Sequence, residues 1–474
     1  MKKHGLTKIL GILLLLIVIA SFILNGRYET KYYIGIFDLP FNYTRAVYFF
    51  FYLVVFILCV GGFYGVLNKT SAYKKLLDNI STKLKPVGKK FIFILILVFA
   101  IITALTGITL PLLVFVPFII SIILLLGYDK LVAITSTIVS MMVGYIGGVF
   151  VTFFDPSSQA MLTFESFVGT DKMFANVFPK LLLLFAGITL LIYYVNNHIK
   201  SVEAKKVKYD IEDDSELKIN EVSSDYTKIK TWPLVVSLIL LFIVLVLGLV
   251  PWNSLFEIEV FQKFHTWLTG ISIKEFAIIP SIFASNSYAF GEWYSDGESM
   301  TYMILCTALV IFTIINAILG RVKFNDIIDG FIEGTKKFLP ITGTIILAYT
   351  VLITAYTNGF FEGIVASYGK FNYGISSLLT FLGCLLNVDM YYISGGVFSP
   401  ILNLITDESV YPSVALLFQG IYGIFAIVGP TSIILIFALS YMNVPYTTWL
   451  KYIWRFILGL IILLALVTLL VVLL

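Results

Sequence analysis

Charged residues are scarce in this chain. Asp, Glu, Lys and Arg make up 13% of the 474 residues, about half of the roughly 25% that is usual in soluble proteins. Hydrophobic residues reach 59%, and the mean hydropathy is +0.97. A soluble fold cannot bury that much apolar surface, and in lipid only helices or closed barrels satisfy the backbone. The apolar runs are close to 20 residues long and do not alternate, so the sequence predicts an all-α polytopic membrane protein.

Cysteine and histidine are rare as well, and their positions exclude several kinds of site. The three histidines fall in terminal or polar segments, which argues against a proton relay built on histidine. An odd number of cysteines without metal-ligand spacing argues against a disulfide framework. All of them lie inside apolar runs, where packing is the expected role: Cys59, Cys306 and Cys384. No cofactor and no nucleic-acid partner is predicted.

Long apolar runs are abundant, and they fall into two sets. Hydropathy predicts membrane segments near residues 8–24, 46–67, 91–106, 108–126, 130–153 and 178–197, and then near 232–250, 300–319, 338–357, 374–405, 410–439 and 450–474. The first run resembles a signal peptide but lacks a small-residue cleavage site, so it is interpreted as an uncleaved first span. The stretch 198–231, rich in acids and lysines, is predicted to be a solvated cytoplasmic linker between a first membrane half, 1–197, and a second, 232–474.

Positive charges are distributed unevenly among the polar segments. With a cytoplasmic N-terminus, 24 of the 32 lysines and arginines fall in inner segments and 8 in outer ones. Lys and Arg concentrate on the cytoplasmic side of spans, so this bias predicts a multi-pass plasma-membrane protein in that orientation. The count works only if 91–126 and 374–405 each enter and leave the membrane on one side. Each pair is therefore predicted to be a helical hairpin.

Two stretches repeat one order of features with opposite orientation. Each has a span, an amphipathic segment, a broken apolar pair and then a Gly-rich helix that breaks at a proline. The breaks are residues 154–158 (Phe-Asp-Pro-Ser-Ser) and 428–432 (Val-Gly-Pro-Thr-Ser). Inverted repeats with interrupted helices are the architecture of alternating-access carriers. The predicted fold is therefore an inverted-repeat carrier with two helical hairpins and two interrupted helices.

The breaks also predict where a binding site lies. A proline in a span removes an amide donor and frees carbonyl groups, which need a partner in hydrocarbon. A substrate, a Na⁺ ion or a water-lined cavity would serve, and so would Ser and Thr side chains at a simple kink. The hydroxyl groups beside the prolines are predicted to bind substrate: Ser157, Ser158, Thr431 and Ser432. A Na⁺ site is considered near Asp155, Ser157 and Thr431.

The second predicted hairpin carries a polar run between apolar arms, residues 387–396. Intramembrane carboxylates usually face a cavity or a partner, so Asp389 is predicted either to bind a cation, a cationic group or a proton, or to be solvated at the hairpin tip. The glycines of the run would allow a ligand or the opposing hairpin to approach the backbone closely. The other candidate substrate-binding residues of the run are Asn387, Ser394, Gly395 and Gly396.

Other acidic residues have simpler expected roles. Asp155 is expected either to cap the half-helix that follows it or to bind ligand. Glu165 and the acid-rich stretch 292–298 are expected to lie in solvated outer loops.

Several motifs recur in an order that is typical of a known family. In the C-terminal third they are Asp329-Gly330-Phe331 with Gly334, Phe418-Gln419, Gly429-Pro430-Thr431-Ser432, and Val444-Pro445-Tyr446 with Trp449, Lys451 and Tyr452; in the first half they are Gly127-Tyr128-Asp129 and Asp155-Pro156. The chain resembles the YfcC-type family, related to the anaerobic four-carbon dicarboxylate carriers within the ion transporter superfamily. The resemblance implies a scaffold, a transport domain, and a site between two hairpin tips and two helix breaks. The chain departs from the family at the two hairpin tips. Leu110-Pro111 stands where members commonly have an acidic pair, and residues 389–392 stand where they commonly have a Ser/Gly-rich tip.

Taken together, the sequence predicts a secondary active transporter, a symporter or an exchanger, of a small organic ion. Because Asp389 is the one acid predicted to be buried, an amino acid is favoured over the dicarboxylate or short peptide that other members carry. The expected partners are a small-molecule substrate and the lipid bilayer, and the resemblance adds a coupling ion, Na⁺ or H⁺, and a homodimer. No enzyme activity is predicted, and the alternatives of other classes are a membrane-embedded transferase on a lipid-linked substrate and a channel.

Overall fold

Long apolar helices make up most of the structure, a computed structural model that describes residues 5–28, 33–155, 158, 160–170, 176–204, 229–282, 287–294, 296–356, 364–365, 370–386 and 389–473. Within these residues nine helices are long and apolar enough to cross a membrane. The predicted all-α polytopic membrane fold is confirmed. Most of the predicted linker 198–231 lies outside the described residues, and the division into two halves stays a prediction.

The first half begins with the crossing helices and ends in a long helix that continues into the linker. Its helices are α1 (Gly5–Tyr28), α2 (Asp38–Lys69), α3 (Ser71–Leu84), α4 (Gly88–Thr106), α5 (Val116–Leu125), α6 (Lys130–Ile146), α7 (Phe164–Val168) and α8 (Val177–Glu203). A short antiparallel hairpin of β1 (Thr152–Asp155) and β2 (Ala160–Thr163) stands between α6 and α7.

The second predicted half includes an additional segment outside the spans, at residues 250–296. Its helices are α9 (Trp232–Leu249), α10 (Trp252–Phe256), α11 (Val260–Thr269), α12 (Ile278–Ile282), α13 (Gly297–Leu319), α14 (Phe324–Tyr356), α15 (Tyr373–Leu386), α16 (390–402), α17 (Tyr411–Val428), α18 (Ile433–Tyr441) and α19 (Tyr446–Leu473). A two-stranded hairpin of β3 (Ser272–Ile273) and β4 (Phe276–Ala277) precedes α12.

Both predicted hairpins are present. In hairpin 1, α4 ends at Gly107, whose φ of +70° is a left-handed cap that glycine adopts without strain, and the chain returns through α5. In hairpin 2, α15 has 14 residues and α16 is of similar length. A crossing helix needs about 20 residues, so neither arm of hairpin 2 spans the membrane. The side of the membrane from which each hairpin enters stays a prediction.

The two longest helices, α2 and α14, pack together over much of their length, and we call them the scaffold pair. Four glycines lie where their backbones meet. A Cβ atom added to Gly65 would lie 1.9 Å from the carbonyl oxygen of Gly330, and one added to Gly334 would lie 2.1 Å from that of Gly61. Small residues permit such close approach, and dispersion contacts between helices replace the hydrophobic driving force that lipid cannot supply.

The two predicted breaks take different forms. The second is an interrupted helix, as predicted, because α17 ends at Val428 and α18 begins at Ile433. At the first break the predicted span 130–153 ends early: α6 stops at Ile146, and the chain then forms the β1–β2 hairpin. The reason is local, since Gly147 and Gly148 end the helix and the Val- and Phe-rich run 149–154 favours extended backbone.

Replacing Gly334 with alanine should destabilise the scaffold pair, because the new methyl group would meet the backbone of α2. Overpacking of this kind costs about 1–3 kcal/mol, and backbone atoms have little room to move. Gly343→Ala is the matched control, since this glycine lies on the same helix with no atom within 4 Å of an added Cβ. Thermal unfolding in detergent should show a lower melting temperature for Gly334→Ala only. Equal melting temperatures would mean that the helices are not packed this closely.

Candidate functional site

The break between α17 and α18 is held by side chains of the protein itself. Three carbonyl oxygens that the break frees accept hydrogen bonds: that of Ala426 from the Ser432 hydroxyl (2.7 Å), that of Ile427 from the Trp449 indole (2.9 Å), and that of Val428 from the Tyr446 hydroxyl. The sequence left open a substrate, a Na⁺ ion, a water-lined cavity, or the Ser and Thr side chains of a simple kink as partners of such carbonyls. The structure gives these three a fixed protein partner each.

The two predicted hydroxyl residues of this break have defined contacts. Thr431 donates to the carbonyl of Leu385 at 3.1 Å, which joins the break to the last turn of α15. Ser432 is the N-cap residue of α18 and accepts from the Leu435 amide. Both side chains are buried. The second break is therefore attached to hairpin 2.

A side chain of α17 plays the same part at the first break. The Gln419 amide donates to the carbonyl oxygens of Tyr145 at 2.6 Å and Gly148 at 2.9 Å, where α6 ends. Gln419 is fully buried. Its motif with Phe418 was a visible sequence signal, but the contact with α6 was not predictable. One glutamine thus joins the two broken elements.

Asp155 closes the turn of the β1–β2 hairpin. Its carboxylate accepts from the Ser158 amide at 2.9 Å and from the Ser158 hydroxyl at 2.7 Å, a side-chain turn typical of Asp. The expectation that Asp155 caps a half-helix is therefore wrong, because a strand turn follows it. The hairpin contacts the first turn of α16 through β1. Ser157 lies outside the described residues.

Asp389 lies at the tip of hairpin 2, directly before α16. Its side chain is 7% exposed, and its carboxylate accepts from the Tyr349 hydroxyl of α14 at 3.0 Å. The ring of Tyr349 stacks on Phe50 of α2, with centroids 3.4 Å apart. Asp389 is thus buried against the scaffold pair rather than solvated at the tip. Asn387 lies outside the described residues.

Gly395 and Gly396 of hairpin 2 lie in a turn of π-helix, residues 394–398. The Ser394 hydroxyl donates to the carbonyl of Tyr391 at 3.1 Å, in the preceding turn of α16. A Cβ atom added to Gly396 would lie 3.0 Å from the ring of Tyr356 on α14, and Gly395 is near the same ring. The close approach predicted for these glycines is therefore made by a scaffold side chain. π-Helical turns occur frequently at functional sites.

Sequence reasoning missed a second carboxylate near this tip. Glu298, in the first turn of α13, was expected in a solvated loop, but it is only partly exposed and accepts from the Tyr52 hydroxyl at 3.2 Å. Tyr52 also stacks on Tyr302, with centroids 5.5 Å apart. The ring of Tyr52 lies 6.3 Å from that of Phe50, which stacks on Tyr349, so Glu298 belongs to the same cluster of aromatic side chains as Asp389. The sequence signal was weak: a Glu immediately before an apolar run, with an aromatic residue one turn later.

Glu165 was also expected in a loop and is instead fully buried. Its carboxylate pairs with the Lys180 ammonium at 2.8 Å and accepts from the Asn176 amide at 2.9 Å. Asn176 donates as well to the carbonyl of Pro412 at 2.7 Å, at the start of α17. A buried ion pair needs such additional partners to offset desolvation. The network joins α7, α8 and α17, and α7 directly follows the β1–β2 hairpin.

The described residues include no group of three or more His, Cys, Asp or Glu side chains placed to hold a metal ion. Of the residues considered for Na⁺, Asp155 bonds to Ser158, Thr431 bonds to Leu385, and Ser157 is not described. The Na⁺ site stays a prediction. What the fold does bring together at hairpin 2 is Asp389, the Thr431 break and the hairpin that carries Asp155.

Comparison with known protein families shows which family the chain belongs to. A model of the C4-dicarboxylate anaerobic carrier family, DcuC, matches residues 43–473. The chain belongs to this family. The wider relationship that the motifs indicated is confirmed, and a YfcC-type subgroup stays a prediction.

Other comparisons add less. No curated protein matches the sequence. Among solved structures, the chain is similar to the YdaH transporter of Alcanivorax borkumensis, whose crystal structure is described as revealing an unusual topology; the match has 15% identity and a TM-score of 0.40 and covers 98% of each chain.

The buried ion pair gives a test of the packing around the first break. Glu165→Gln alone or Lys180→Met alone should cost about 3–5 kcal/mol, because each leaves a buried charge uncompensated. The double variant should recover most of the loss, since no charge then remains to be solvated. Thermal unfolding of the four proteins in one detergent measures this. A double variant as unstable as the worse single one would contradict a buried pair.

Proposed function

We propose that this chain is a secondary active transporter, a symporter or an exchanger, of a small organic ion in a bacterial plasma membrane. Membership of a carrier family and the interrupted, hairpin-containing fold support transport. The observation that carries the proposal is the buried carboxylate of Asp389 at the tip of hairpin 2, hydrogen-bonded to Tyr349 of the scaffold pair. A costly intramembrane acid usually marks the path of a substrate or a coupling ion.

An amino acid is our proposed substrate class. Three carboxylates lie around the tip of hairpin 2. Asp389 is at the tip itself, Asp155 ends β1, which contacts the first turn of α16, and Glu298 is bonded to Tyr52, whose ring lies beside Phe50. An amino acid brings an ammonium group that offsets such charges, whereas a dianion would be repelled unless cations bind with it. Aromatic rings around the tip, such as those of Phe50 and Tyr392, offer further attraction to a cation.

A C4-dicarboxylate is the second candidate, and the name of the matched family favours it. In that case the carboxylates of the tip would first have to be neutralised by H⁺ or Na⁺, which would couple substrate uptake to the ion. The two candidates therefore predict different ion dependence. Ser158, Thr431, Ser432, Ser394, Gly395 and Gly396, together with the undescribed Ser157 and Asn387, remain the proposed lining of the site. No enzyme activity is proposed.

Uptake by purified protein in proteoliposomes tests this function. We expect saturable uptake of a radiolabelled amino acid, measured with and without Na⁺ and pH gradients, and by counterflow so that an exchanger is also detected. Asp389→Asn should lower uptake about 10- to 150-fold, because it removes the charge that the ammonium group of the substrate would bind. A hydrogen bond to a charged group contributes about 1.5–3 kcal/mol. Asp407→Asn is the control, since this acid is exposed on a short turn before α17.

Three results would contradict the proposal. Unchanged uptake and ion dependence in Asp389→Asn would remove this residue from the mechanism. Uptake of dicarboxylates but not amino acids would select the second candidate. Flux without saturation or counterflow would indicate a channel.

A further inference from the structure

The segment between α9 and α13 contains a helix, α11, with an apolar stripe that no described part of the protein covers. Val260, Phe264 and Trp267 are 59%, 50% and 62% exposed, respectively. At 100° per residue their side chains fall within an arc of about 60°. Large apolar side chains that line up on one helix face require a partner or an apolar phase.

The position of α11 relative to the membrane follows from one tryptophan. The Trp252 indole donates to the carbonyl of Leu247 at 2.8 Å, in the last turn of the membrane-crossing helix α9. The ring of Trp252 also packs on Phe261 of α11, with centroids 5.5 Å apart. Helix α11 is therefore one side chain away from the end of a span. That is the depth of the headgroup region, where Trp also prefers to lie.

The other side chains of α11 divide into two further faces. One face points to the protein: Phe261 contacts Phe290, with centroids 6.2 Å apart, and the His265 ring is 3.1 Å from the Ser287 hydroxyl. The opposite face is exposed and polar, with Gln262, Lys263 and Thr266. The apolar stripe lies between these two faces.

We propose that α11 lies in the plane of the membrane interface, with Val260, Phe264 and Trp267 inserted among the lipids. A helix beside a protein at a bilayer surface has three environments, which are protein, water and lipid, and α11 offers a matching face to each. The short β3–β4 hairpin that follows continues the apolar surface, because Ile273 and Phe276 are 66% and 54% exposed. This inference does not depend on what the protein transports.

Spin labelling in liposomes tests the proposal position by position. Cys59, Cys306 and Cys384 are first replaced by alanine, and single cysteines are then introduced at 260, 264 and 267, with 262 and 266 as controls on the polar face. We expect the three stripe positions to collide often with oxygen and rarely with a water-soluble nickel complex. The two control positions should show the reverse. Helix periodicity in this ratio is the signature of an interfacial helix.

Two patterns would overturn the proposal. High access to the nickel complex at 260, 264 and 267 would mean that the stripe faces water. Low access to both reagents, with dipolar broadening between labels, would mean that a second copy of the chain covers it.

Tryptophan fluorescence provides a second measurement on a chain with its native cysteines. The difference between the wild-type and Trp267→Phe spectra isolates the emission of Trp267. We expect nitroxide lipids labelled near the headgroup to quench this emission strongly, whereas aqueous iodide should quench it weakly. The opposite order would contradict insertion even if the cysteine-free protein does not fold.

Discussion

A helix that stops inside a membrane leaves carbonyl groups without donors, and hydrocarbon offers no water to replace them. The way this chain meets that requirement organises much of its structure. Gln419 donates to two carbonyl oxygens at the end of α6, while Ser432, Trp449 and Tyr446 donate to three at the end of α17. The breaks are thus joined to each other and to α19 by hydrogen bonds that are costly to lose. The helices that carry them should move as one body.

The scaffold pair is a second body, held by a different kind of contact. Its glycines bring two backbones together, so α2 and α14 cannot slide past each other without steric clash. Hairpin 2 contacts both bodies: Thr431 ties α15 to the break, whereas Asp389 and Gly396 contact Tyr349 and Tyr356 of α14. In an alternating-access carrier, relative motion of two bodies exposes a site between them first to one side and then to the other. Such motion would change the contacts of α14 with hairpin 2 and also those with α18, where Phe338 packs on Phe437.

Features of the fold and the site were predictable from the sequence where their cause is local, and not where it is a contact with a residue elsewhere in the chain. The spans, both hairpins and the second break follow from hydropathy, length and proline, which are local signals with a strong cause in lipid. Roles that arise from distant neighbours were missed. Glu165 and Glu298 look like loop acids in sequence, because nothing near them shows that Lys180 and Tyr52 will meet them. The β1–β2 hairpin was missed because the prediction extended α6 through a run whose residues prefer strands.

Residues that satisfy the broken backbone and residues at the tip of hairpin 2 differ in how freely they can vary. Residues that satisfy the broken backbone have little freedom to vary, because each loss would leave a buried carbonyl without a donor. Asp389 at the tip of hairpin 2 is under no such constraint, because it satisfies no freed carbonyl group and instead contacts Tyr349 of the scaffold pair. In this chain the tip presents Asp389, with Glu298 and several tyrosines nearby. In our proposal the shared fold is retained while the tip sets the charge of the ion that is accepted, and an acidic, aromatic tip favours a substrate with a positive group.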